Sequence, residues 1–105
     1  MNIITGPRAS GKTTKAIELA NEKGAYLAVR TKHIANHIYY SDEYPDLDRF
    51  PITHHELIGN GADGSFVRNV VIDDVDHFIR VASRGMHIEG LVIGHHLYQE
   101  LEDMT

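Results

Sequence analysis

Short apolar runs alternate along the chain with stretches of helical periodicity, the signature of βα units around a mostly parallel sheet. Residues 2–5 (NIIT) are an apolar run ending at Gly6 and predict a first strand. Helical spacing follows over 13–23. Thr13, Ala16, Ile17 and Ala20 fall on one face, Lys15, Glu18 and Glu22 on the other, and Gly24 stands where a glycine ends a helix. Residues 25–29 (AYLAV) are continuously apolar, as expected for a strand covered on both faces. From Thr31, a good N-cap residue, Ile34, Ala35 and Ile38 describe a second short helix.

The segment 40–49 (YSDEYPDLDR) is acidic, contains Pro45 and has no period, which predicts a solvated loop. Residues 50–53 predict a short strand and 56–58 a helical turn. Three glycines within 59–64 (GNGADG) predict a turn or mobile loop. Residues 69–73 (NVVID) give the clearest buried strand, and Val75, Phe78, Ile79 and Ala82 a helix that Gly85 can end. Residues 91–93 predict another buried strand, and 96–102 a last helical segment with Leu97 and Leu101 inward. There is no internal repeat or linker, so 1–105 is expected to form a single α/β domain.

Composition narrows the class. A chain of 105 residues, 42% hydrophobic and 24% charged, has material for one core and none of the bias of disordered or fibrous proteins. Without cysteine there is no disulfide framework and no thiolate metal site, which suits a reducing, cytoplasmic compartment. No apolar run approaches the ~20 residues that span a bilayer, and no signal peptide opens the chain, so no membrane partner is expected. The formal net charge is −5 and there are four lysines. A protein that coats nucleic acid through phosphate neutralisation is thereby excluded, although a local basic patch is not.

Candidate chemistry begins at Gly6. Residues 6–13 read GPRASGKT, a full match to G-x-x-x-x-G-K-[ST] between a predicted strand and a predicted helix. Gly6 and Gly11 allow backbone turns that a side chain would penalise. The amides of Pro7's successors Arg8, Ala9 and Ser10, with the start of the helix, can cradle an anion. Lys12 can reach the β- and γ-phosphates of a nucleotide, the Thr13 hydroxyl can ligate Mg²⁺, and Thr14 is free to pack or to touch the α-phosphate. The second element is Val70, Val71, Ile72, Asp73 and Asp74, an apolar strand ending in two carboxylates. Ligands of open α/β sheets gather at the carboxyl ends of strands. Asp73 is therefore a candidate Mg²⁺ ligand, and Asp74 a candidate for orienting or deprotonating an attacking water.

GPRASGKTT and VVIDD together resemble the Walker A and Walker B motifs of the P-loop NTPase family. The strand at 25–29 between them is similar to the order found in its RecA-like and helicase-like ATPases. The resemblance implies a three-layer α/β/α fold with a mostly parallel sheet of about five strands, the strand near 90–94 lying between the two motif strands. It implies ATP and Mg²⁺ as cofactors and a polar sensor of the γ-phosphate after that strand, at His95 or His96. Ile52-Thr53-His54-His55-Glu56-Leu57 resembles a motif that superfamily 1 helicases carry before Walker B. The pattern also departs from the family. Asp74 stands where Glu is common, Gln99 falls one position too late for a GDxxQ motif, and no second RecA-like domain follows. Turnover is then expected to depend on a homo-oligomer or another protein supplying an arginine finger; Arg8, Arg80 and Arg84 are this chain's own candidates.

Eight histidines raise a metal question. His33 and His37 have a zinc-compatible i,i+4 spacing, but the Glu of H-E-x-x-H is missing and no third ligand is near, which favours a surface role. Asp76 suits an i,i+4 ion pair with Arg80. Three functions fit these residues. The first is a minimal Mg-ATPase coupled to nucleic-acid processing or remodelling. The second is a nucleotide-binding regulatory or assembly module with negligible hydrolysis. The third is a small nucleoside or nucleotide kinase, which would need an arginine-rich lid that the sequence does not display. No N-K-x-D motif points to guanine.

Overall fold

The computed structural model describes residues 3–6, 11–59 and 68–92. The element order is α1 (Lys12–Lys23), β1 (Tyr26–Val29), α2 (Lys32–Tyr40), β2 (Ile52–Thr53), α3 (His54–Gly59), β3 (Val70–Ile72) and α4 (Val75–Ala82). The three strands form one sheet of order β2-β1-β3, parallel throughout.

The apolar face of α1 is the predicted one: Ala16, Ile17 and Ala20 are buried. Gly24 ends the helix in the left-handed region at φ 63°, which turns the chain so that the Ala25 N–H reaches the Ala20 carbonyl at 2.8 Å. β1 is central, and Leu27, Ala28 and Val29 are fully buried. Leu27 and Val29 join α1, Ala35 and Ile38 of α2, and Leu47 in one apolar cluster. Thr31 caps α2 as its sequence suggests, accepting the Ile34 N–H at 3.2 Å.

Two segments are more ordered than the sequence implies. The acidic stretch before β2 is held to α1 rather than freely solvated. Leu47 is buried, and the Asn21 amide donates to the Asp46 carbonyl at 2.7 Å while accepting the Asp48 N–H at 2.9 Å. The turn expected at 56–58 is a helix from His54, set by a reciprocal capping box. The Glu56 N–H donates to Thr53 Oγ1 at 3.1 Å, and the Thr53 N–H donates to Glu56 Oε1 at 2.9 Å.

The sheet is smaller than the five strands expected. Leu91 and Val92 lie in no strand and are 63% and 101% exposed, so the buried strand predicted at 91–93 is corrected over its two described residues. A three-residue apolar run between Gly90 and Gly94 has little surface to bury against the entropy its glycines lose on ordering. Residues 3–6 also lie outside the sheet, although Ile4 packs on the apolar cluster. The strand expected near 90–94 is the one that would join it to the sheet, and the described residues of that segment, 90–92, lie in no strand. β3 is shorter than 69–73 and half-exposed, because among the described residues it is an edge strand with β1 on one side. The helix expected at 96–102 and the loop at 60–64 lie outside the described residues. No described helix is long and apolar enough to cross a membrane.

Register decides which strand ends meet. Ala28 pairs with both Ile52 and Ile72, and Val29 pairs with Thr53. In a parallel sheet all strand ends of one polarity lie on one edge. Arg30, His54 and Asp73–Asp74, which come directly after the three strands, therefore gather there.

Candidate functional site

The site is built from that edge and the first turn of α1. Gly11 precedes α1 with φ 81° and ψ 20°, a left-handed conformation. A Cβ at Gly11 would meet nothing within 4 Å, so glycine is required there by backbone conformation and not by space. The Lys12 Nζ donates to the Gly6 carbonyl at 2.7 Å. The chain thus closes a ring from Gly6 to Lys12. Pro7, Arg8, Ala9 and Ser10 lie outside the described residues, as do His95 and His96.

One residue further on, Thr13 Oγ1 donates to Asp73 Oδ2 at 3.3 Å across 60 residues of sequence. Asp73 sits just beyond β3, its N–H bonded to the Ala28 carbonyl at 2.9 Å. Two oxygens bound to adjacent positions of an octahedral Mg²⁺ at 2.0–2.1 Å stand about 3.0 Å apart. The Thr13–Asp73 pair therefore has close to the spacing such an ion needs. Among the described residues no group of three or more His, Asp or Glu side chains converges on a metal. Mg²⁺ does not need one, since it keeps waters and substrate oxygens and takes one or two protein ligands.

Asp74 adopts the left-handed region at φ 61° and ψ 62°, where Asp and Asn are the best tolerated of the residues with side chains. This kink points the chain from β3 into α4, whose first turn begins on the Asp74 carbonyl. Its carboxylate lies 3.3 Å from Arg30 Nε. A hydrogen bond shared with the Asp76 carboxyl raises the Asp74 pKa above the usual carboxylate value; burial and the Asp76 and Asp73 charges add to this, and Arg30 opposes it. Asp76 is lowered by the same bond. The Arg80 charge lowers Asp76 as well, so the i,i+4 relation that its spacing suggests acts beside the bond to Asp74. A carboxyl with a raised pKa is a better proton acceptor once ionised, which suits a general base.

An open cavity of about 310 Å³ adjoins these groups. Thr13, Asp73, Asp74 and Arg30 line one part of it, and His37 and Tyr44 another. His37 Nε2 lies 2.8 Å from Glu43 Oε2, and its ring meets Tyr44 edge-on at 5.9 Å. His33 and His37 are both exposed.

Three participants carry weaker sequence signals or none. Arg30 follows a buried strand just as Asp73 does, so the rule that singles out Asp73 reaches it as well. Glu56 is legible in the spacing Thr53-x-x-Glu56. His54 has no signal beyond its motif, yet it is fully buried with both ring nitrogens engaged: Nε2 on the Asp73 carbonyl and Nδ1 on His77 Nδ1, each at 2.8 Å.

Comparison with protein families, with curated proteins and with solved structures finds no match to this chain.

Proposed function

We propose that this chain is a small P-loop ATPase that binds ATP with Mg²⁺ and hydrolyses it. It would act in a homo-oligomer or with a partner protein that supplies an arginine, and be coupled to nucleic-acid processing or remodelling. The observation that carries the reading is the Thr13–Asp73 contact at 3.3 Å. It joins the last residue of GPRASGKT to the first carboxylate of VVIDD, the two residues that such an enzyme needs on one Mg²⁺. The left-handed Gly11 at the start of α1 supports it further, since no side-chain cap covers the first amides of that helix.

In this scheme residues 6–14 bind the phosphates, with Lys12 leaving the Gly6 carbonyl to contact the β- and γ-oxygens. Bound Mg²⁺ would neutralise charge on the same oxygens. Asp74 would orient the attacking water and take its proton. The coupling to nucleic acid rests on the resemblance and is an analogy.

A second reading has its own observation. The Asp74 carboxylate is already engaged by Arg30 and Asp76, an arrangement that suits a module in which nucleotide orders an interface without turnover. Nucleotide titration with and without Mg²⁺, then ATPase rates across protein concentration with and without single-stranded and duplex DNA, separate the two. Binding with rates that climb with concentration or DNA supports the ATPase. Tight binding with a flat, negligible rate supports the module. Absence of nucleotide binding overturns both.

A further inference from the structure

We propose that His54, backed by His77, is a positioning residue for Asp73: the two imidazoles form a strut that fixes the carboxyl end of β3 and with it the Asp73 carboxylate. The inference rests on the reading of Asp73 as a Mg²⁺ ligand for what the strut serves, but not for the strut itself.

The need for it lies in the backbone. The left-handed turn at Asp74 takes the chain out of the ladder, and α4 begins on the Asp74 carbonyl, so the Asp73 carbonyl belongs to neither element. A carbonyl at such a junction must find a donor elsewhere. His54 Nε2 supplies it at 2.8 Å. With the Asp73 N–H on the Ala28 carbonyl at 2.9 Å, both backbone groups of Asp73 are held, one from β1 and one from the start of α3. The carboxylate that meets Thr13 then has little freedom beyond its own rotamer.

The same bond settles the tautomer. A carbonyl only accepts, so His54 carries its proton on Nε2. His54 Nδ1 and His77 Nδ1 stand 2.8 Å apart, so one of them donates to the other. The contacts run from His77 in α4 to His54 in α3 to Asp73 after β3. Phe78 packs edge-on against the His54 ring at 5.6 Å and excludes water from it. Neither histidine lines the cavity beside Thr13 and Asp73; they act through Asp73.

Groups that orient a metal ligand from behind typically change metal affinity by about 10- to 100-fold when removed. The test begins on the nucleotide-free protein, by ¹⁵N NMR of the imidazoles and amide hydrogen exchange. His54 should show a protonated Nε2. His54→Leu should speed exchange of the Asp73 amide, and His54→Gln, whose amide can reach the same carbonyl, should restore it. A His54 with no proton on Nε2, or Asp73 exchange unmoved by His54→Leu, overturns the strut, and the first of these needs no variant to fold. The Mg²⁺ concentration for half-maximal nucleotide binding is then compared. It should rise about 10-fold or more in His54→Leu and His77→Leu and return toward the parent value in His54→Gln and His77→Asn. An intact strut with unchanged Mg²⁺ dependence overturns the positioning role. A parent protein with the expected tautomer and exchange but no Mg²⁺-dependent binding instead brings down the reading of Asp73.

Discussion

Asp74→Asn separates chemistry from architecture at the point where the two coincide. Three structural contributions change. The ion pair with Arg30 is lost; at 3.3 Å, with side chains 52% and 31% exposed, it contributes about 0.2–1 kcal/mol. The negative charge before α4 is lost, about 0.3–1 kcal/mol by the helix dipole, with no capping bond to lose because the Asp74 side chain makes none. Against these, repulsion from Asp73 and Asp76 is relieved, while the hydrogen bond with Asp76, the first cause of the raised Asp74 pKa, can be kept by the Asn amide donating to the Asp76 carboxylate. The left-handed backbone costs Asn no more than Asp. The net loss should stay within about 1 kcal/mol, which for a domain of this size moves the melting temperature by about 4–8 °C at most. General-base catalysis is worth about 10²–10⁴-fold, so hydrolysis should fall by at least about 100-fold while ATP affinity holds. Thermal melts, nucleotide titration and steady-state turnover on the same preparation measure all three. A rate equal to the parent's removes Asp74 from the chemistry. A stability loss above about 2 kcal/mol would mean that the β3–α4 junction depends on the Asp74 charge far more than its exposed contacts allow, and would refute the separation.

The other predictions rest on single contacts. Lys12→Ala should abolish nucleotide binding with little change in melting temperature, because its bond to Gly6 is exposed; ATP affinity equal to the parent's would end the phosphate-loop assignment. Gly11→Ala should cost about 1 kcal/mol in urea unfolding through its left-handed φ of 81°, even though nothing within 4 Å opposes the new methyl. Thr53→Ala should cost about 1 kcal/mol by breaking the capping box. The Glu56 carboxyl is lowered below its usual 4.5, first by the Thr53 N–H. Its contribution is thus complete above pH 4.5 and should fade as pH drops through the lowered value, and Glu56→Gln should flatten that part of the stability–pH curve.

What could be read from the sequence was whatever depends on local pattern. The faces of α1 and α2, the stop at Gly24, the cap at Thr31 and the buried run at Leu27–Val29 come from side-chain spacing over a few residues, and the structure agrees. Asp73 was legible because the end of an apolar strand in an α/β chain is a fixed address. Apart from the Thr53–Glu56 capping box that starts α3, the main departures are non-local. Whether residues 91–93 form a strand depends on a partner edge, not on three apolar letters. The burial of Leu47 depends on Asn21 gripping the backbone on both sides of it, a contact between residues far apart in sequence. The pairing of His54 with His77 depends on α3 and α4 lying side by side, and no periodicity announces that.

The Thr13–Asp73 distance also reports on the core beneath it. Thr13 is placed by α1, and α1 is placed by Ala16, Ile17 and Ala20 against Leu27 and Val29 of β1. Asp73 is placed by the register of β3 on that same strand. A slip of one residue moves a strand end by about 3.3 Å and turns its side chain to the opposite face. Advancing α1 by one residue rotates Thr13 by roughly 100° about the helix axis. Either change would separate two oxygens now 3.3 Å apart. The apolar residues between the two motifs therefore act as the ruler that sets the Thr13–Asp73 gap, which the proposed function assigns to Mg²⁺. Ile17, which has no exposed surface, is where that ruler can be tested. Ile17→Ala should cost about 2–5 kcal/mol, and Ile17→Val about 0.5–1.5 kcal/mol. If the gap is set by the core, the milder variant should still weaken Mg²⁺-dependent nucleotide binding at temperatures where it is fully folded. If it binds as the parent does, the loop and strand end hold their spacing without the core, and the ruler lies elsewhere.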